Sequence, residues 1–206
     1  MRKELVTVPL EDLTPSARIR EAALRLFAEV GPRNTSLRMV AKEAGVSLGA
    51  LMHYYQSKDR LEEAVQQHVM QKMRQPVAQG VSEAAPPESA RAMHETYHMW
   101  IAENPVIAEY ARRLQMEGSD RGMEFFRMGH EATREMLRHL VSKGGVRPFP
   151  DEEVGVILYE ILEGGFLWFR PMIEATLGCS CSDPDIQARF RAAILDLLSK
   201  PLYIGA

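Results

Sequence analysis

Between Lys42 and Leu61 the chain reads KEAGVSLGALMHYYQSKDRL. Its Ala, Gly and Ser residues let a large surface approach the backbone closely, while the aromatic and basic residues after them suit a negatively charged one. The chemistry this pairing serves is polyanion binding. Elsewhere the reactive residue types lack companions. Asp151 with Glu152, and Glu160 with Glu163, are paired carboxylates only in sequence, with no accompanying base, nucleophile or glycine-rich phosphate loop. Cys179 and Cys181 would form a strained disulfide, and two thiols without further Cys or clustered His make a poor zinc site. No catalytic residue, metal site or cofactor is expected.

Charge is distributed to match. Over 206 residues the formal net charge is −3. Residues 1–75 hold twelve Lys and Arg against nine Asp and Glu, about +3, whereas the remainder holds thirteen against nineteen, about −6. A polyanion is drawn to the first third and repelled by the rest. With 46% hydrophobic and 26% charged residues, the balance is that of a soluble globular chain. Glu4, Glu11 and Asp12 interrupt any apolar leader, and no run approaches the roughly 18 apolar residues of a membrane helix. The expected compartment is the cytoplasm, with no membrane partner.

The elements that position these residues are helices. Thr14-Pro15-Ser16 starts one, Ile19, Ala22, Ala23, Leu26, Phe27 and Val30 follow its 3.6 period, and Gly31-Pro32 stops it. Thr35 or Ser36 caps a second, short helix that Gly45 ends. Ser47 caps a third, and Ser57 caps a fourth running to Met73. Five further helices are expected, at roughly 88–103, 105–117, 120–143, 151–177 and 184–199. No alternating strand pattern or repeat is present, so the predicted fold is all-α. It divides into a flexible arm at 1–14, a three-helix head at 15–56, a connecting helix at 57–75 and a larger helical body at 76–206.

Two short helices around a Gly-containing turn form a helix-turn-helix. Taking Leu51 as inward turns Gly49, Met52 and His53 outward, with Ala50 on the flank. The N-terminal part of that helix is the part that enters the major groove. Arg38 can make a bidentate contact with guanine, and Ser36, Tyr54 and Lys58 suit phosphate oxygens. Taken singly, each residue also has an ordinary role: Ser47 as a helix cap, His53 at the surface, Tyr54 and Tyr55 in a core. Their order is what carries the reading.

Residues 17–65, ARIREAALRLFAEVGPRNTSLRMVAKEAGVSLGALMHYYQSKDRLEEAV, resemble the DNA-binding domain of the tetracycline-repressor (TetR) family of transcriptional regulators. The resemblance implies a homodimeric repressor whose C-terminal body binds a small molecule and then releases a palindromic double-stranded DNA operator. It assigns DNA contacts to Thr35, Ser36, Arg38, Ser47, Leu48, Gly49, Ala50, Met52, His53, Tyr54 and Lys58. Members often carry Lys, Thr and Tyr where Leu48, Ala50 and Met52 stand here. Recognition then leans on Arg38, His53 and apolar contact, as with a thymine methyl.

The body is less specific. Met93, Tyr97 and Trp100 share one helix face and Phe126 and His130 another; with Phe166 and Phe169 they would line a pocket for a small apolar or aromatic effector. The same residues suit an ordinary helical core. Ile157, Ile161, Gly165 and Trp168 form one stripe of the 151–177 helix, and Phe190, Ile194 and Leu197 one of the last. By resemblance these two helices pair with their copies in a four-helix dimer interface; the alternative is a larger monomeric core. The competing functions are an activator or partner-controlled regulator of the same fold, and a helical enzyme or carrier.

Overall fold

The computed structural model describes residues 14–81, 88–144, 146–181 and 183–199. All regular structure among them is helical. Helix α1 (Pro15–Val30), α2 (Leu37–Glu43) and α3 (Leu48–Tyr55) form the head, and α4 (Lys58–Val81) leads into the body. The body comprises α5 (Glu88–Glu103), α6 (Pro105–Met116), α7 (Asp120–Ser142), α8 (Glu152–Trp168), α9 (Arg170–Leu177) and α10 (Pro184–Ser199). The expected arm at 1–14 lies outside the described residues apart from Thr14, and so does the Pro86-Pro87 pair.

The caps follow the sequence. Thr14, Ser36, Ser47 and Ser119 each accept a backbone N–H from the third residue onward, which satisfies a donor the first helical turn leaves unpaired. At the turn between α2 and α3, Gly45 has φ +64, and the Val46 N–H donates to the Ala41 carbonyl at 3.0 Å. That left-handed residue closes a Schellman turn, which a Cβ would strain.

Two element boundaries differ from the sequence reading. The predicted 151–177 helix is two, broken at Phe169, because Pro171 has no N–H to donate and its ring would collide with the Leu167 carbonyl. Helix α4 runs past Pro76 to Val81 instead of ending near Met73. Proline keeps a helical φ there, and packing of α5 along α4 offsets the missing backbone bond.

One hydrophobic core spans head and body. Ile19 and Phe27 of α1, Leu51 of α3, and Leu61 and Val65 of α4 are essentially fully buried, and the same cluster continues through Tyr110 of α6 to Phe125 of α7. Each such side chain contributes about 1.5–3 kcal/mol of burial. The Tyr110 ring sits between Phe27 and Phe125, 6.5 and 6.3 Å away centre to centre. The head is therefore seated on the body through α1 and α6.

Candidate nucleic-acid interface and body cavity

Helix α3 is held from behind and bare in front. Leu51 is buried, and Tyr55 is pinned by its hydroxyl, which donates to the Ser16 carbonyl at 2.8 Å. This fixes α3 across α1. The opposite face carries Leu48, Met52, His53 and Tyr54, all exposed, with the His53 ring edge-on to Tyr54. A Cβ on Gly49 would meet only the Ser47 hydroxyl, at 3.8 Å, so this end of the helix is open to close approach. Ser47 Oγ accepts from the Ala50 N–H, and Ser36 Oγ accepts from the Met39 N–H; both hydroxyls keep an outward position at a helix start. Arg38 is exposed and has no hydrogen bond or ion pair among the described residues, whereas Lys58 lies 3.8 Å from Glu62. A cationic, small-residue surface at helix N-termini suits phosphates and groove edges.

Thr35 departs from this surface. It is 3% exposed, its hydroxyl donates to the Gly31 carbonyl at 2.9 Å, and its N–H is bonded to the Pro32 carbonyl. Its role is to hold the turn between α1 and α2, and it has no donor left for DNA.

The body holds a cavity of about 570 Å³ among five helices. Met70, Met73 and Arg74 of α4 and Tyr97 of α5 form one side; Ala111 and Gln115 of α6 close one end. Phe125, Phe126, His130, Thr133 and Met136 come from α7, and Tyr159, Glu160, Glu163, Leu167 and Trp168 from α8. The lining is largely apolar with a few convergent polar groups, the composition of a small-molecule site.

Of the pocket residues expected from sequence, Tyr97, Phe126 and His130 line this cavity. Trp100 packs instead against the shared core, Phe166 lies away from the cavity with its ring tilted 50° against that of Phe190 at 4.5 Å, and Phe169 points outward, 47% exposed. The side chain of Met93 lies outside the described residues. Trp168, expected at the dimer face, turns inward, because Gly164 leaves room for its indole. A Cβ there would lie 2.7 Å from the ring, and the indole N–H donates to Gln115 Oε1. Phe190 and the 6%-exposed Ile194 are likewise turned into their own chain, while the side chain of Leu197 lies outside the described residues. Ile157 and Ile161 do stay on the outer face, and Gly165 has open space beside it.

Within the body, two carboxylate–imidazole pairs escaped the sequence reading, because each joins different helices. His98 Nε2 is 2.6 Å from Glu163 Oε2, and His130 Nδ1 is 3.0 Å from Glu160 Oε2 with Glu153 Oε1 3.1 Å from its other nitrogen. The bond to Glu160 raises the His130 pKa above the ordinary imidazole value. Burial, and then the Glu163 carboxylate, hold the Tyr97 and Tyr159 hydroxyls well above the usual phenol range. Thr133 donates its hydroxyl to the Gly129 carbonyl. Burial pushes the Cys181 thiol up, which keeps it protonated at neutral pH. Among the described residues no group of three or more His, Cys, Asp or Glu is placed to hold a metal, and no helix is long and apolar enough to cross a membrane.

Residues 19–65 match the family profile described as bacterial regulatory proteins, tetR family. The chain is 32% identical over 194 residues to the HTH-type transcriptional regulatory protein RaaS of Mycobacterium tuberculosis, covering 94% of this chain and 85% of that protein. Among solved structures, the fatty acid degradation regulator FadR of Bacillus halodurans superposes with a TM-score of 0.74 at 17% identity, over 93% of this chain and 98% of that one. The transcriptional regulator FadR of Bacillus subtilis, solved in complex with stearoyl-CoA, gives 0.69 at 15% identity, over 89% and 97%. At these identities the two structures show a shared fold.

Proposed function

The chain belongs to the tetR family of bacterial regulatory proteins, and on that premise we propose that it is a repressor that leaves its operator when a small molecule fills the body cavity. It is a helix-turn-helix transcriptional regulator and not an enzyme. The observation that carries the finer reading is the double duty of α6. Ala111 and Gln115 face the cavity, while Arg113, on the other side, holds the end of α1 in the head. An effector that shifts α6 therefore reorients the head, and the effector's different affinity for the two arrangements is the signal.

On DNA, Ser36, Ser47, Tyr54 and Lys58 take phosphates; Arg38, Leu48, Gly49, Ala50, Met52 and His53 face base edges. Two heads about 34–36 Å apart, one turn of duplex, read a palindrome. The exposed α8 stripe through Ile157 and Ile161 supplies the contact between two copies. The body cavity takes an apolar or aromatic effector; in a protein of the same fold the regulator was solved with stearoyl-CoA.

The test is titration of the purified protein with its own promoter DNA, followed by fluorescence anisotropy across salt. A tight complex that weakens steeply as salt rises, and that effector candidates dissolve, is expected. Indifference to promoter DNA at low salt would remove the proposal.

A further inference from the structure

Resting on the reading of this cavity as the effector site, we propose that its ligand is a lipophilic cation, such as a quaternary ammonium or an aryl-substituted alkylammonium. The charge would sit beside Glu160 and Glu163, and the apolar groups against Phe125, Phe126 and Trp168. The wall itself argues for this charge. The Glu160 and Glu163 side chains are 11% and 9% exposed, and both face the cavity from one turn of α8. The one permanently cationic side chain lining it among the described residues is Arg74, which is exposed at its rim.

The two imidazoles that face Glu160 and Glu163 do not reverse this sign, and a third, His139, is exposed on the lining with the carboxylate of Glu135, also exposed. His130 is bracketed by Glu160 and Glu153, and His98 approaches Glu163. Arg134 pairs with Glu153 at 2.7 Å, so around His130 two cationic groups at most face the two carboxylates Glu153 and Glu160, and a carboxylate or phosphate ligand meets no surplus of positive charge at the deep wall. An anion buried without a partner is strongly penalised, whereas a cation gains both the carboxylates and the faces of the surrounding rings.

Tetraphenylphosphonium and tetraphenylborate share a size and shape and differ in charge, so equilibrium dialysis of both against the full chain isolates the sign. The phosphonium is expected to bind about tenfold or more tightly than the borate. The double substitution E160Q/E163Q is expected to bring the two within about threefold, and Ala132→Trp, which fills the cavity, to abolish phosphonium binding. Far-UV dichroism checks that both variants fold. Equal or tighter binding of the borate overturns the proposal. So does a phosphonium preference that survives E160Q/E163Q, or binding that survives a folded Ala132→Trp. Failure of both ions to bind overturns it as well, and decanol then separates the two levels. Decanol binding leaves the effector cavity standing without its charge preference, and no binding of any probe removes both.

Discussion

Arg113 on α6 completes the end of α1: its Nε donates to the Ala28 carbonyl at 3.1 Å, and Nη2 donates to the Glu29 carbonyl at 3.0 Å. The Ala28 carbonyl needs this. Its helical donor would be the N–H of residue 32, which is Pro32 and has none. A cation also suits the negative end of a helix dipole. The two units are thus joined by a charge-assisted bond that their own helices cannot replace.

Arg113→Ala should therefore act twice. Urea unfolding is expected to show a loss of about 1–2 kcal/mol, since a partly exposed charged hydrogen-bond donor is removed from an otherwise unpaired carbonyl. Effector-induced loss of operator affinity should also shrink, because α6 no longer carries the head with it. Unchanged effector response in Arg113→Ala would place the coupling elsewhere.

At the DNA surface the two cations should separate. Arg38→Ala is expected to cost about 1–3 kcal/mol and relax preference at one operator base pair, whereas Lys58→Ala weakens all sequences alike and flattens the salt slope. Competition binding against a panel of single-base operator variants distinguishes them. A uniform loss for Arg38→Ala would move that residue to the backbone.

Gly164→Ala tests the inward indole. The new Cβ would lie 2.7 Å from the Trp168 ring, which must swing away from Gln115. Overpacking of this kind costs about 1–3 kcal/mol, and the emission of Trp168 should shift as its ring leaves the cavity wall. A Trp100→Phe background removes the second indole from the signal. An unaltered spectrum and melting temperature would contradict the packing.

The head was legible because its signals are local. Ser36, Ser47 and Gly45 act on backbone groups within a few residues, so cap and turn chemistry can be read along the chain. The body's errors are of one kind. Trp168 and Phe169 are neighbours with exchanged roles, and the exchange is decided by the gap at Gly164 and by the break that Pro171 imposes. The apolar pattern of α8 runs on across that break, so periodicity alone joins α8 to α9. The cavity wall draws on five helices, and the pairs His98–Glu163 and His130–Glu160 cross 65 and 30 residues of chain. Only tertiary packing brings them together.

The pair at His130 predicts a pH dependence. Glu160 lies 3.0 Å from Nδ1; Glu153 and Arg134 lie 3.1 and 3.0 Å from Nε2, and the Phe126 ring stacks at 6.2 Å. The carboxylates outweigh the guanidinium, and the folded pKa rises above the ordinary 6.5. The folded state then holds the proton more tightly than the unfolded one. The stabilisation is complete below pH 6.5 and fades as pH climbs through the higher folded value. Chemical denaturation at steps from pH 6 to 9 should show the stability advantage of the wild type over His130→Gln shrinking. A constant difference across that range would rule the ion pair out.

The outer face of α8 is the surface proposed to join two copies. Val154, Leu158 and Ile161 are about half exposed, at 51%, 54% and 48%, and Ile157 and Leu162 extend the same stripe. Soluble monomers seldom leave a contiguous apolar band of this kind to water, and a stable interface hides about 800 Å² on each partner. Two copies meeting along α8 would cover the band and hold two α3 helices at a fixed separation. Leu158→Asp with Ile161→Asp places two carboxylates at the centre of that contact while disturbing nothing buried in the single chain. Sedimentation is expected to fall to the 23.3 kDa of one chain, with far-UV dichroism unchanged. Operator affinity should drop by about a hundredfold or more, because the second head no longer binds at the effective concentration set by the first. A variant that stays dimeric with full operator affinity would show that α8 is not the surface joining the heads.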